Sequence, residues 1–460
     1  MFRKTLVGTV SVWAALLTTT GLAQDDISLT IPAARELARD AFVQGNIPLS
    51  NRLGHELVAV DPNDTTGLLV LSATEPMLNR AKEGRRAGKR AFKLAGDPSL
   101  KFESAFLTSR AALKEGRYGT SQYWLRRAYN LAESDAQKAE ISKAFNFVRV
   151  VSPWRAQASF DVAPSSNLNG GSSTEYLLVD DTSTFGFLSG NAQALSGTRA
   201  SIQGQYSYSI ARDQTRDTSL TFTGYRNFNT LSDEAKALAP TTTGSDFDYG
   251  LAEVGLTHRR VAGKNDYLPD TFGVAFGQTW YGGEKLDRSQ RLTLGRRLTL
   301  SDKTSARLTG KVERRLSDRG HADKTGRGLT LGFGHALPKK LHLRGSVEIT
   351  DVLSKDGNQA YIGHSANVTL TMGQPIKGVR VTAGLGVAYR DYSDYSIPFA
   401  TLPQGRKDQE LNASLNLHIN TVDYMGFQPV VSVRGRAVDS NVSRFDTETL
   451  GLSLGFRSAF

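Results

Sequence analysis

The side chains that most often carry chemistry are present in this chain, but nowhere at a working spacing. Seven histidines include no HxxxH or HExxH pair, and His321, His335 and His342 fall in separate segments, so the pattern predicts no metal site. Cysteine is absent; this excludes disulfides, thiolate ligands, cysteine nucleophiles and a lipid anchor on this chain. The run Gly84-Arg-Arg-Ala-Gly-Lys-Arg90 fails as a phosphate loop: its glycines are four apart, no Ser or Thr follows the lysine, and no strand precedes it. It reads as the solvated face of a helix, or as a docking surface for an acidic partner. Gly384-Leu385-Gly386 lies inside a strand pattern and is no nucleotide loop. No motif supports a Ser-His-Asp arrangement. The expectation is a protein with no enzymatic chemistry and no cofactor.

What does recur is positive charge at even separations. Arg291 and Arg297, Arg307 and Lys311, His342 and Arg344 with Glu348, then Arg434 and Arg436 each share one face of a segment of period two. Such a set makes either a hydrated wall with internal ion pairs or a basic pathway favouring anionic or polar cargo. The formal charge of +11 fits anionic lipopolysaccharide or a basic channel better than nucleic acid, for which no zinc finger, helix-turn-helix or aromatic-basic motif is present.

The elements that must position these residues are strands. In residues 450–460 the apolar face reads Leu450, Leu452, Leu454, Phe456 and Phe460, with Gly451, Ser453, Gly455, Arg457 and Ala459 between. A strand with two different solvents on its faces belongs in a closed membrane barrel, which removes the sheet edge and turns the apolar face to lipid. Residues 154–163 alternate in the same way, and twelve further segments lie between them. The fourteen begin near 154, 201, 218, 248, 271, 288, 305, 328, 341, 361, 379, 410, 428 and 450. Short turns (262–264, 301–303, 338–340, 374–378) alternate with longer polar links (164–198, 229–247, 318–325, 393–407), as periplasmic turns and external loops do. A soluble sandwich or β-helix has no reason for that alternation. A mean hydropathy of −0.33 is too polar for a helical membrane protein and compatible with a barrel whose interior is wet.

The N-terminus reads as a secretory signal over residues 1–23: Arg3 and Lys4, an apolar core, and the small-x-small site Gly21-Leu22-Ala23, which puts cleavage between Ala23 and Gln24. The core is too short for a spanning helix. Residues 24–152 are helical. Leu37-Ala38, Ala41, Gln44-Gly45, Ile47, Leu57 and Asp61-Pro62-Asn63 have the spacing of a tetratricopeptide (TPR) repeat. A second clear copy runs from Asp97-Pro98 through Glu115-Gly116-Arg117-Tyr118 to Trp124, Leu125, Ala128 and Leu131. The stretch between is a degenerate middle repeat that Pro76 breaks early. Ser134 caps a final helix whose Ile141, Phe145 and Val148 form the closing stripe. The fold class is thus an N-terminal TPR-like α-solenoid followed, over 153–460, by an antiparallel outer-membrane β-barrel of about fourteen strands.

The junction carries a more specific likeness. Ser152-Pro153-Trp154, the strand through Phe160-Asp161, and then Pro164-Ser165-Ser166-Asn167-Leu168-Asn169 are similar to the first strand and Asn-x-Asn loop of the surface lipoprotein assembly modulator family, Pro164 being read as part of the turn that ends the strand. Gly455, Phe456 and Phe460 in the last strand resemble the signal by which outer-membrane barrels are recognised for assembly, though Ser458 stands where an apolar residue is usual. The resemblance implies an outer-membrane factor that moves lipoproteins or soluble binding proteins from periplasm to cell surface without a nucleotide. The helices would hold the client or its chaperone, the barrel would be the passage, and outer-membrane lipids and the barrel-assembly machinery would be further partners. A polysaccharide export porin also joins such repeats to a barrel, usually with more repeats and sixteen strands, and should show an acidic, aromatic lumen. A general diffusion porin would leave the repeats without a purpose.

Overall fold

A computed structural model describes residues 29–180, 185–261, 263, 268–397, 400–402, 404–422 and 427–458. The signal through Ala23, Gln24 on the other side of the expected cleavage, and Phe460 lie outside the described residues.

Seven helices come first: α1 (Ile31–Val43), α2 (Ile47–Val60), α3 (Thr65–Thr74), α4 (Ala81–Leu94), α5 (Pro98–Lys114), α6 (Tyr118–Leu131) and α7 (Asp135–Val151). They make three antiparallel pairs and a closing helix. Local chemistry sets the boundaries. Asp64 and Asp97 cap α3 and α5 through the amides of Gly67 and Leu100, Ser134 and Gln137 form a capping box on α7, and Gly45 and Gly116, both at φ +78°, turn the chain within the first and third pairs. Helix α3 stops at Thr74, just short of Pro76, as the interrupted middle repeat predicts. The basic run lies on α4 with its glycines turned inward. A Cβ on Gly88 would strike the hydroxyls of Thr108 and Ser72, and one on Gly84 would strike Pro76, so α4 packs against α3 and α5 at a separation only glycine permits. Phe145, Leu125, Ile141 and Val148 form the densest part of the helical core, beneath Trp124.

The remainder is a closed barrel of fourteen antiparallel strands in sequence order. These are β1 (Trp154–Ser165), β2 (Gly197–Arg212), β3 (Arg216–Leu231), β4 (Tyr249–Arg260), β5 (Thr271–Tyr281), β6 (Glu284–Ser301), β7 (Thr304–Ser317), β8 (Lys324–Leu337), β9 (Leu341–Ser354), β10 (Tyr361–Met372), β11 (Val379–Tyr392), β12 (Arg406–Ile419), β13 (Phe427–Ser440) and β14 (Thr447–Ser458). All fourteen segments of alternating polarity became strands, most of them longer than the alternation marks. The exposed side of the wall is apolar over most of its area: Phe272, Val274 and Phe276 on β5, Leu329, Leu331 and Phe333 on β8, Leu450, Leu452, Leu454 and Phe456 on β14. Closure leaves that face to lipid and the opposite parity to the lumen. Among the described residues no helix is long and apolar enough to cross a membrane.

β1 and β14 both have their outer ends on the helical side, where the turns are short. The far rim carries the long loops, and these hold structure the sequence did not announce. Leu168, Leu195, Leu231, Ala235 and Ala239 make a small core beneath a one-and-a-half-turn helix (Asp233–Leu238), and Val179, Leu402 and Val442 make another beneath the hairpin Tyr176–Leu178/Phe185–Phe187. One far-side link is short: Gly282 and Gly283, at φ +58° and +83°, close β5 onto β6 in the doubly left-handed turn that hairpins prefer. Pro164 differs from its sequence reading. It pairs with Thr198 inside the sheet, and the turn begins after Ser165, because proline's missing N–H faces away from β2.

Candidate functional site

Where the helices meet the barrel, the connection is short and fastened on both sides. The hydroxyl of Ser152 donates to the carbonyl of Trp154 at 2.8 Å, Ser209 N–H on β2 donates to Pro153 O at 2.6 Å, and the Arg212 guanidinium donates to Val150 O at 3.0 Å. Trp154 stacks on Tyr206, centroids 6.2 Å apart, and its ring lies 2.9 Å from where Gly119 would carry a Cβ. The first turn of α6 therefore needs a glycine there to seat on the tryptophan. Seven residues along, Arg126 stacks between Phe145 of α7 and Phe427 at the start of β13, 5.2 and 5.7 Å from their centroids. The last helical pair is in this way held against the near rim of the barrel.

Behind that rim lies a cavity of 1610 Å³ whose lining runs from Tyr129 on α6 to Asn167 and Asn169 in the first far-side loop. Its wall on β10 to β14 is mostly small and neutral: Thr369, Thr371, Thr382, Asn412, Ser414, Asn416, Ser432, Gly451 and Ser453. Charge is divided along its length. Toward the far rim most arginines meet a carboxylate, while Arg199 donates instead to Asn229 Oδ1 at 2.9 Å and Leu168 O at 2.8 Å. Arg291 reaches Glu253 at 2.6 Å, and Arg390 and Arg436 share Glu410 at 2.9 and 3.0 Å. Lys311 meets Glu348 at 2.6 Å in mid-wall. In the near half, Arg307 has Asp270 at 3.8 Å, and Asp270 also accepts the Arg297 amide at 2.6 Å. Arg344, Arg380, Arg434 and Arg457 border the cavity and form no ion pair among the described residues. Arg344, Arg380 and Arg457 thus put unpaired positive charge toward the end where the helices sit, and Arg434 adds it in mid-wall.

Of the six basic residues singled out from the sequence, Arg344, Arg434 and Arg436 line the main cavity. Arg297 and Arg344 together border a smaller one of 240 Å³ near the helical rim, with His342. Arg291 and Arg307 are neutralised across the wall. Arg380 and Arg457 also have lumen parity but carry little sequence signal, since Arg457 is the lone cation of its face and Arg380 is ten residues from Arg390, the other cation on its own. The Asn-x-Asn pair holds the far loop. The Asn167 amide bonds both backbone groups of Gly171, at 2.8 and 3.0 Å, while Asn169 donates to Gln193 O at 2.8 Å and accepts from Leu195 N–H at 2.9 Å. Among the described residues there is no group of three potential metal-binding side chains.

Comparison with known proteins divides the chain as the fold does. The helical part is similar to the type III secretion chaperone SycD of Yersinia enterocolitica, crystallised with a peptide of the translocator YopD: identity 15%, 27% of this chain and 98% of that one, TM-score 0.24. It is also similar to the TPR2B domain of yeast Sti1: identity 18%, 27% and 98%, TM-score 0.24. The barrel is similar to OmpT of Vibrio cholerae: identity 10%, 66% of this chain and 97% of that one, TM-score 0.33. No curated protein matches the chain. Residues 276–449, from β5 into β14, match the family model described as surface lipoprotein assembly modifier, and this is the family that the chain resembles.

Proposed function

We propose that the chain moves client proteins, lipid-modified surface proteins or secreted binding proteins, from the periplasm to the cell surface, the helices holding the client or a chaperone that carries it and the barrel serving as passage. The family match and a barrel with a lipid-facing exterior support surface lipoprotein assembly at the outer membrane in general. The finer reading rests on one observation: α6 contributes Tyr129 to the cavity that continues through the barrel to Asn169. A segment released from the helices thus has the lumen directly before it. The short turns on the helical side support a periplasmic helical domain. The work is binding and passage, not catalysis, and requires no cofactor.

The test is display. Co-expressed with neighbouring lipid-modified or secreted proteins, the full chain should make one of them sensitive to protease added to intact cells. Removing residues 24–152 should abolish that sensitivity while leaving an inserted barrel, and normal display by the shortened chain would reject the role of the helices. A polysaccharide export porin is the competing reading. Tyr225, Tyr249 and Tyr281 at the far end of the cavity supply its aromatic half, but the near-end arginines take the place of the acidic half, and that reading requires glycan secretion to depend on this chain.

A further inference from the structure

The wall is weakest at one seam. Among the described residues, β1 and β14 pair Ser159 through Val162 with Arg457 through Leu454, and then Ser165 with Gly451. Within residues 159–165 that is five of seven positions, with a gap at Ala163 and Pro164, whereas the other barrel seams run on without a gap apart from one bulge in each of three. The gap has a chemical cause. Ser166 N–H donates to Leu450 O across the seam at 3.4 Å, so the even-numbered backbone groups of this stretch face β14. Two residues earlier the group facing Leu452 is Pro164, which has no N–H to give. The far end of the seam is instead pinned from the loop: Leu450 N–H donates to Ser166 Oγ at 3.0 Å and Ser173 N–H to Asp446 O at 2.7 Å. The seam is thus interrupted at Pro164 and held on either side of it, by the ladder from Ser159 to Val162 and by the loop beyond Ser165.

The same seam is where lumen and lipid come closest. Phe160 and Phe456 face each other across it in register. Both lie on the lipid side, half exposed, and both border the cavity that their neighbours Ser159, Asp161 and Gly455 line from within. A lipid-modified protein poses a problem that this arrangement answers: its polypeptide suits a lumen of Asn, Ser, Thr and Arg, while its acyl chains do not, since every methylene favours hydrocarbon over a hydrated wall. We infer that the β1–β14 seam is a lateral exit, which parts to the bilayer and takes the diacyl anchor of a lipid-modified client while the polypeptide occupies the lumen. This rests on the export reading above and adds the class of group that leaves by the wall.

Because the chain contains no cysteine, the exit can be tested with a lipid probe on the purified full chain, with no client present. Ser159→Cys places a thiol on the lumen side of the seam; Thr369→Cys places one on the lumen side of β10, across the barrel. Each is reconstituted in phosphatidylcholine vesicles carrying a small fraction of maleimide-phosphatidylethanolamine, and its coupling rate is divided by that with a water-soluble maleimide. The expected ratio for Ser159→Cys exceeds that for Thr369→Cys by about tenfold, a difference of about 1.4 kcal/mol in access. Adding Pro164→Val to Ser159→Cys, which restores the missing donor, should lower the ratio several-fold without changing the water-soluble rate. Equal ratios at the two sites, or no response to Pro164→Val in a heat-modifiable barrel, would overturn the lateral exit and leave the export reading standing. Loss of the export reading would show instead as client display unaffected by the helical deletion.

Discussion

Glu75 is a residue whose importance arises entirely from its partners. It is 2% exposed yet accepts from Asn51 at 3.0 Å, bonds His55 at 2.7 Å and pairs with Arg80, joining α2 to the short link after α3. Burial pushes its carboxyl up, but Arg80, Asn51 and His55 together outweigh it and hold the group below the usual carboxylate range. Glu115 is held low by Arg85 in the same way. A depressed carboxyl contributes stability that is present above its unfolded value of about 4.5 and is lost as pH falls through the folded value. The thermal midpoint of the helical circular-dichroism signal should therefore be flat from neutral pH down to about 5 and fall below about 4.5. Glu75→Gln should cost about 1–2 kcal/mol at pH 7, discounted because Arg80 is half exposed and regains water, and should flatten part of the acid limb. An unchanged limb would assign the acid sensitivity elsewhere. Nothing in the sequence near Glu75 announces this role, since Asn51 and His55 lie a full helix away and the pattern marks the position only as the end of a broken repeat. Arg291 was the converse: period two placed it on a face, but its neutralisation by Glu253 across two strands depends on register that alternation does not encode.

At the level of elements, the sequence was legible wherever one face of a segment meets a different solvent from the other. The fourteen strands and six of the seven helices carry such a contrast, α3 alone being covered on every side, and proline and glycine mark most of their ends. The far-side loops were illegible for the opposite reason. Leu168, Leu195 and Leu231 build one small core from three places without any period, and residues spread over sixty positions leave no local signal. Pro164 misled because proline usually closes a strand, whereas here it sits where a ladder hydrogen bond is already forgone. The joint between helices and barrel is where these elements must cooperate, and Trp154 is its most exposed dependency. Trp154→Ala removes the stack on Tyr206 and the surface on which the start of α6 rests. An aromatic contact of this kind is worth about 0.5–1.5 kcal/mol beyond its area, so the undocked population should rise about two- to tenfold. Limited proteolysis at residues 150–153 of the detergent-solubilised chain should accelerate by that factor while the barrel keeps its heat-modifiable migration. A barrel that itself unfolds would show Trp154 to be part of the wall's stability and not of the joint.

For the whole molecule the decisive property is the uneven field along the lumen. Most charges toward the far rim are paired and cancel locally, but Arg344, Arg380 and Arg457 toward the helical end and Arg434 in mid-wall are not matched, and a low-dielectric wall focuses an unmatched charge onto the water it encloses. A planar bilayer holding the full chain under a salt gradient should therefore give a reversal potential of the sign that marks anion preference. Replacing the four arginines by glutamine should move that potential most of the way to zero, with the ion pairs Arg291–Glu253 and Arg436–Glu410 left intact to hold the wall. The helices enter the same measurement separately. Tyr129 stands at the near end of the cavity, so removing residues 24–152 should raise the conductance while keeping the sign of the selectivity, because the arginines belong to the barrel. If the shortened chain lost its anion preference, the field would have to originate in the helical domain, whose basic α4 is its strongest cationic feature; if the intact chain preferred cations, the lumen could not be a basic passage at all.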